Sequence, residues 1–328
     1  MEHRNIAGNV VPAIGLGCMN LSHAYGTPPS EDESIALLHS AIDLGVTHLD
    51  TAALYGFGKN EQLLGKALKG KRHDVFLASK CGMTGVDGKR VIDGRPQTLR
   101  ATLEQSLRQL QTDVLDLYYL HRWDRSVPIE DSVGELSRLV EEGKIKAIGL
   151  SEVSASTIQK AHDVHTIAAV QSEYSLWSRN VEIAVLNKCS ELGIALVAFS
   201  PLARGFLSGN IADSAAFAEG DIRKSMPRFQ AQHLPANYQL LSSLDDIASE
   251  LQCTKAQVAL AWVLQQNECI HAIPGTTNLS HLKDNVAVQE LMLTASQMAL
   301  LDRAFAPQKI SGPRYPYATQ LEIDTEEF

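Results

Sequence analysis

Short apolar runs alternate along the chain with longer stretches in which apolar residues recur every three or four positions. The short runs are Ala13 to Gly17, Thr47 to Thr51, Val75 to Lys80, Leu115 to His121, Ile145 to Ser151, Ile167 to Gln171, Ile194 to Ser200 and Ile270 to Pro274. Each is rich in Val, Ile, Leu or Phe, and continuous runs of this kind suit strands buried on both faces. Helical spacing fills the gaps. Ile35, Leu38 and Ile42 share a face between Ser34 and Asp43, as do Leu103, Leu107 and Leu110 between Leu99 and Leu110, and Val133, Leu136 and Val140 between Ile129 and Glu142. A further helix is predicted over Val181 to Leu192. Gly45, Gly143 and Gly193 follow three of these stretches, where a glycine commonly ends a helix.

About eight strands with helices between them close an α/β fold of the (β/α)8 TIM barrel kind. The competing arrangement is an open doubly wound sheet, which usually carries G-x-G-x-x-G after its first strand. Gly15-Leu16-Gly17-Cys18-Met19-Asn20 and Gly56-Phe57-Gly58-Lys59-Asn60-Glu61 both lack the third glycine, so the barrel is preferred. No internal repeat divides the 328 residues. A single domain over residues 1–328 is expected, with a long connection at about 202–238 overhanging a ligand site and a loop-like tail at about 307–328.

Composition narrows the classes. Hydrophobic residues make up 45% and charged residues 20%, which favours a large core over disorder. The net charge is −9, and no basic stripe offsets it, so nucleic acid is a poor partner. The stretch Met1 to Asn9 is polar, and no apolar run approaches the ~18 residues of a spanning helix; neither a signal peptide nor a membrane span is expected. The cysteines are Cys18, Cys81, Cys189, Cys253 and Cys269, widely spaced and without a C-x-x-C. That pattern fits a reducing, cytoplasmic setting better than a disulfide scaffold or a zinc site.

The polar residues fall at strand ends: Gly17, Asp50, Lys80, His121, Ser151, Gln171 and Ser200. In a barrel these ends share one rim, and barrel chemistry sits on that rim. Singly, each has a plain structural reading: Lys80 as a solvated strand end, Asp50 as a cap, His121 as a structural histidine, Tyr55 as packing. Together they gather two opposite charges, a phenol and an imidazole. A buried Asp and Lys must pair to offset desolvation, and a phenol beside an ammonium has its pKa lowered. A metal-dependent hydrolase would need a larger His/Asp cluster at the strand ends than Asp50 and His121, and no metal is expected.

The run Gly45-Val46-Thr47-His48-Leu49-Asp50-Thr51-Ala52-Ala53-Leu54-Tyr55-Gly56 resembles the first signature of the aldo-keto reductase family. Leu77-Ala78-Ser79-Lys80 resembles its catalytic lysine strand, and Asp116-Leu117-Tyr118-Tyr119-Leu120-His121 its catalytic histidine strand. Gly149-Leu150-Ser151-Glu152, Gln171-Ser172-Glu173-Tyr174-Ser175, Phe199-Ser200-Pro201-Leu202 and Ile273-Pro274-Gly275-Thr276 resemble its cofactor-binding strand ends. The matches run in order from about residue 13 to residue 286, in the style of the bacterial and plant branch related to the potassium-channel β-subunits.

The resemblance implies an NADP(H)-dependent oxidoreductase acting on CH–OH donors, which reduces aldehydes and ketones to alcohols by hydride transfer. Carried over by position, its catalytic tetrad is Asp50, Tyr55, Lys80 and His121. Tyr55 is the general acid, Lys80 held by Asp50 lowers the Tyr55 pKa, and His121 orients the carbonyl. Ser151 and Gln171 hold the carboxamide, and Phe199 stacks on the nicotinamide. Ser200, Pro201, Leu202, Arg204 and Gly205 run under the pyrophosphate, with Arg204 a candidate phosphate contact. Gly17, Cys18, Met19, Asp50, Gly275, Thr276, Thr277 and His281 complete the cofactor contacts, and Asp284 and Asn285 match positions at the adenine. Thr277 and Asn278 stand where relatives often have a basic pair, and His281 where an Arg is common. Asn20, Tyr25, Trp123, Trp177, Arg314 and Tyr315 are the candidates for a substrate pocket that takes a small carbonyl compound. The alternative is a redox-sensing module that holds the cofactor and turns over little. The oligomeric state is not legible.

Overall fold

The structure, a computed structural model, describes residues 2–86, 88–211, 213, 215 and 217–328. Met1 of the polar N-terminal stretch, Asp87, and Ala212, Ser214 and Ala216 of the expected 202–238 connection lie outside the described residues. The strands are β1 (His3–Ile6), β2 (Asn9–Pro12), β3 (Leu16–Gly17), β4 (His48–Asp50), β5 (Phe76–Cys81), β6 (Met83–Val86), β7 (Lys89–Ile92), β8 (Leu117–Leu120), β9 (Ile148–Ser151), β10 (Ile167–Glu173), β11 (Ala195–Phe199) and β12 (Ile270–Ala272).

Eight of them form one parallel sheet in the order β3-β4-β5-β8-β9-β10-β11-β12. These are the eight strands that the apolar runs predict. The sheet closes on itself: Ile14 bridges Ala272, the Gly15 N–H donates to Ala272 O at 2.8 Å, and the Ala272 N–H donates to Ala13 O at 2.8 Å. The first predicted strand is therefore divided. Its first half makes the seam with β12, and Leu16–Gly17 pairs with β4. The fold is a (β/α)8 barrel.

Strand periodicity explains what the interior holds. Phe76 and Ala78 on β5, Leu117 and Tyr119 on β8, Ala169 on β10, and Ala195 and Val197 on β11 pack together inside, with Ala147 just before β9. Two residues further along each strand, on the same face, stand Lys80, His121, Gln171 and Phe199, and Ser151 follows Ala147 and Gly149 in the same way. The polar rim thus continues the interior face rather than the solvent face. Gly149 is flush for a steric reason, because a Cβ there would lie 2.3 Å from the Tyr119 ring.

The other end of the barrel is stoppered by a β1–β2 hairpin that the sequence pattern does not announce. Ala7 and Gly8 turn it with φ of 53° and 77°, as a two-residue hairpin turn requires, and Ile6 and Val11 join the interior cluster. A second hairpin, β6–β7, also unpredicted, stands at the rim between β5 and β8.

Helices wrap the outside. Those predicted around Ser34 to Asp43, Leu99 to Leu110, Ile129 to Glu142 and Val181 to Leu192 occur as Glu31–Asp43, Pro96–Leu110, Ile129–Glu141 and Val185–Leu192. The first starts early because Ser30 and Glu33 cap it reciprocally. Lys255–Gln265 escapes a search for amphipathic stripes because Val258 to Leu264 are buried all round. The 202–238 connection holds the 3₁₀ turns Ala203–Ser208, Ile222–Ser225 and Pro227–Phe229 and the helix Leu234–Tyr238. It is pinned by stacking of Phe206 on Trp177 at 4.1 Å. No helix among the described residues is long and apolar enough to cross a membrane.

Candidate active site

A cleft of about 580 Å³ opens on the C-terminal rim and is bounded by strand ends, by the 202–238 connection and by the tail. Beneath it lies a buried ion pair. Lys80 on β5 is wholly buried, and its Nζ contacts Asp50 Oδ1 at the end of β4. The same ammonium donates to Thr51 O at 2.8 Å and to the Tyr55 hydroxyl at 3.2 Å. The other Asp50 oxygen accepts from the Gln171 amide at 2.8 Å.

Tyr55 reaches the cleft from a 3₁₀ turn in which Gly56, Phe57 and Gly58 have φ of 57°, 53° and 89°. Two glycines there meet the need for positive φ at little steric cost. Asn60 props the turn from behind: it accepts from Thr51 at 2.6 Å and donates to Cys18 O at 2.8 Å and to Ser22 Oγ at 2.7 Å. The His121 ring meets the Tyr55 ring edge to face, with centroids 5.9 Å apart.

The electrostatics assign protonation states. Burial works against the Lys80 charge, but Asp50 and Tyr55 outweigh it, and the ammonium is held above its usual range. For Tyr55, burial is the largest influence and raises the phenol pKa, while Lys80 pulls the other way. The net direction is upward. This corrects the expectation that Lys80 brings Tyr55 down toward working pH: in this desolvated site burial wins, and Tyr55 keeps its proton. Burial, Arg122 and Lys80 together hold His121 well below the ordinary histidine range, so its imidazole is neutral, and Nδ1 has no partner.

Most residues expected at the cofactor line the cleft: Gly17, Met19, Ser151, Gln171, Phe199, Ser200, Pro201, Leu202, Gly205, Gly275, Thr276, Thr277, His281, Asp284 and Asn285. A Cβ on Gly17 would lie 2.8 Å from Ile273 O, and one on Gly275 3.0 Å from Gly17 O and 3.2 Å from Asn20 Oδ1. Both glycines keep this wall flat. Asn20 Oδ1 is buried there without a partner, an acceptor suited to an amide or hydroxyl donor. Cys18 is the exception: its side chain is fully buried behind the wall, turned back on Leu16 O, and burial raises its pKa steeply. Cys81 is equally buried, with its thiol pushed up to about 12.

Arg204 lines the cleft but is otherwise engaged. Its Nη2 pairs with Glu173 at 2.7 Å and donates to the Tyr315 hydroxyl at 3.1 Å. The expected phosphate contact is thus an ion-paired guanidinium here. At the other end, Asn278 Oδ1 accepts from the N–H groups of Ser280 and His281 at 2.7 and 3.3 Å, which caps the helix Leu279–Ala287 and occupies two donors of its first turn. Lys283 lines a separate depression with Glu2, Leu44 and Val286.

The substrate-pocket candidates divide. Asn20, Tyr25 and Tyr315 line the cleft. Arg314, Trp123 and Trp177 do not. Arg314 is buried between Glu152 at 2.7 Å and Glu173 at 3.2 Å, a tie that fastens the tail to the barrel. The Trp123 indole donates to Val127 O, and Trp177 is consumed by its stack on Phe206. In their place the cleft has Arg90 and Met83 from the β6–β7 hairpin, His23 and Leu54, Pro316 and Thr319 from the tail, and Arg122. The Arg122 position was legible, since it follows His121 on the rim. Arg90 was not, because its hairpin carries no strand pattern.

The Aldo/keto reductase family model matches residues 13–306. The glycerol dehydrogenase of Gluconobacter oxydans is 27% identical, over 96% of this chain and 98% of that one, with a TM-score of 0.86. An aldo/keto reductase of Klebsiella pneumoniae, solved in complex with NADP and acetate, is 28% identical over 96% and 98%, with a TM-score of 0.73. An aldo-keto reductase of Bacillus halodurans, solved in its holo form, is 27% identical over 94% and 97%, with a TM-score of 0.76. With residues 13–306 of its 328 matched by the model, the chain belongs to the aldo/keto reductase family.

Proposed function

We propose that this chain is an NADP(H)-dependent oxidoreductase that reduces aldehydes and ketones to alcohols, with Tyr55 as general acid. The observation that carries the reading is the contact of Lys80 Nζ with both Asp50 and the Tyr55 hydroxyl at the floor of the cleft. Bound NADPH supplies the hydride. Tyr55, protonated through burial, gives its proton to the carbonyl oxygen as negative charge develops there. Lys80 then stabilises the phenolate that is left, and Asp50 keeps that ammonium charged and in place. The neutral imidazole of His121, set against the Tyr55 ring, donates an N–H to the same oxygen. The Gly17 and Gly275 wall and the unpartnered Asn20 Oδ1 suit a flat, donor-bearing ring, and neighbours solved with NADP and NADPH support that cofactor.

The same reading takes residues 1–328 as one barrel domain that acts on a small carbonyl compound in a reducing, cytoplasmic setting. The five unpaired cysteines support that setting. The test is NADPH consumption over a panel of aldehydes and ketones, with wild type and Tyr55→Phe in parallel. Turnover that depends on Tyr55 is expected. A chain that binds NADPH and reduces none of the panel would be the sensing module instead.

A further inference from the structure

Among the described residues, four arginines line the cleft: Arg90, Arg122, Arg204 and Arg223. Three are neutralised by carboxylates, Arg90 by Glu322 at 2.5 Å, Arg204 by Glu173 at 2.7 Å and Arg223 by Asp221 at 2.6 Å. Arg122 has no carboxylate partner among the described residues. Its Nη1 donates to His121 O at 2.6 Å and to Ser151 Oγ at 3.2 Å, which pins one edge of the guanidinium. Its Nε is buried with no hydrogen-bond partner, and Nη2 makes no bond among the described residues. The unpaired edge is therefore Nε and Nη2, whose parallel N–H groups match the two oxygens of a carboxylate. A buried donor of a charged group left unmade is costly, and a planar anion laid along this edge removes the cost.

The position of Arg122 ties that anion to the chemistry. It follows His121 directly, and its charge bears on both His121 and Tyr55. Arg122 lines the same cleft as Tyr55 and His121. Asp50, the carboxylate in the floor of the cleft, is already paired with Lys80.

We propose that the substrate is a carbonyl compound that also bears a carboxylate, docked side-on against Nε and Nη2 of Arg122. The proposal rests on the carbonyl-reductase reading and specifies its substrate class. Two aldehydes that differ in charge alone, 4-carboxybenzaldehyde and its methyl ester, decide it. Wild type is expected to favour the acid in kcat/KM by ~10–100-fold, the scale of a charge-assisted bidentate contact. In Arg122→Met the acid-to-ester ratio should fall toward one, whatever the absolute rate. A ratio near one in wild type, or one that survives the substitution, overturns the proposal. Reduction of the ester on its own tests the carbonyl-reductase reading, so the two can fail separately. A second measurement needs neither turnover nor cofactor. Benzoate titrated into the protein by calorimetry should bind wild type, bind Arg122→Lys more weakly because the fork is lost while the charge is kept, and bind Arg122→Met more weakly still. Equal binding to wild type and Arg122→Lys, benzamide binding as tightly as benzoate, or a loss in Arg122→Met seen with inorganic phosphate but not with benzoate would each overturn the carboxylate assignment.

Discussion

The Gln171 amide donates to Asp50 Oδ2 at 2.8 Å, the oxygen opposite the one that Lys80 contacts. A residue expected to hold the cofactor's carboxamide therefore also completes the buried ion pair, and its Oε1 and second N–H remain for a ligand. Gln171→Leu is expected to lower stability by about 1.5–3 kcal/mol, the range of a hydrogen bond to a charged group, and to weaken cofactor binding as well. Urea unfolding and a fluorescence titration with NADPH measure the two effects. Loss of cofactor affinity at unchanged stability would mean that the bond to Asp50 contributes nothing.

Tyr55→Phe should leave NADPH affinity nearly intact and cut turnover by ~100-fold or more, the scale of general acid catalysis. Because burial raises the Tyr55 pKa, the phenol is protonated across neutral pH, and carbonyl reduction by wild type should stay level between pH 6 and pH 8. Alcohol oxidation needs the phenolate and should rise with pH.

Lys80→Met leaves Asp50 buried without a cation, and a loss of about 3–5 kcal/mol is expected. Lys80 is the influence that pulls the Tyr55 pKa down, so the rising limb of alcohol oxidation should move to higher pH in this variant. The wild-type Lys80 pKa is raised on folding. Its stabilising effect is thus fully present below the unfolded lysine pKa and is lost as pH rises through the folded value. Denaturant melts at pH 7 and at about pH 11.5, above the unfolded lysine pKa of ~10.4, and a pH–rate profile check both statements. An unmoved oxidation limb would show that Lys80 does not tune Tyr55.

Acid should destabilise the barrel through two interior histidines. His48 and His271 lie 6.2 Å apart between ring centroids, and both are fully buried. Burial lowers their pKa values to about 4 and about 3 respectively. A depressed folded pKa contributes stability above the unfolded histidine value that is lost as pH falls. Each residue should therefore cost about 1.4 kcal/mol per pH unit below the ordinary histidine value of 6.5, down to its folded pKa. His48→Leu should flatten this slope between pH 6 and pH 4.5 in chemical denaturation, and an unchanged slope would remove His48 from the account.

The preference between cofactors should be modest. Asn278 occupies two helix N–H groups, and Lys283 lines another depression. Thr277 and His281 stay exposed at this end of the cleft. NADPH is expected to be preferred over NADH by roughly tens of fold in kcat/KM, the scale of a few hydrogen bonds to the phosphate. His281→Ala should lower that ratio. A ratio unchanged by the substitution would place selection elsewhere.

Much of this was written locally. Continuous apolar runs marked all eight barrel strands because a strand buried on both faces needs no polar alternation, and the rim residues Asp50, Lys80 and His121 stood out as charge or imidazole at the ends of such runs. Local pattern could not reveal the β1–β2 stopper or the β6–β7 hairpin, whose short strands are stabilised by what they cover. It also missed the helix Lys255–Gln265, which is apolar on every side. Side-chain assignments failed where a partner came from far along the chain. Arg314 looked like a pocket residue until Glu152 and Glu173 met it across 162 and 141 positions, and Arg204 was expected at a phosphate until the same Glu173 claimed it. Whether Lys80 or burial governs Tyr55 was likewise undecidable from residue order. The sequence by itself determined which groups reach the rim, because strand period sets the direction of each side chain. Only the tertiary structure decided their charge and their partners, because desolvation and pairing depend on distances that no spacing in the chain encodes.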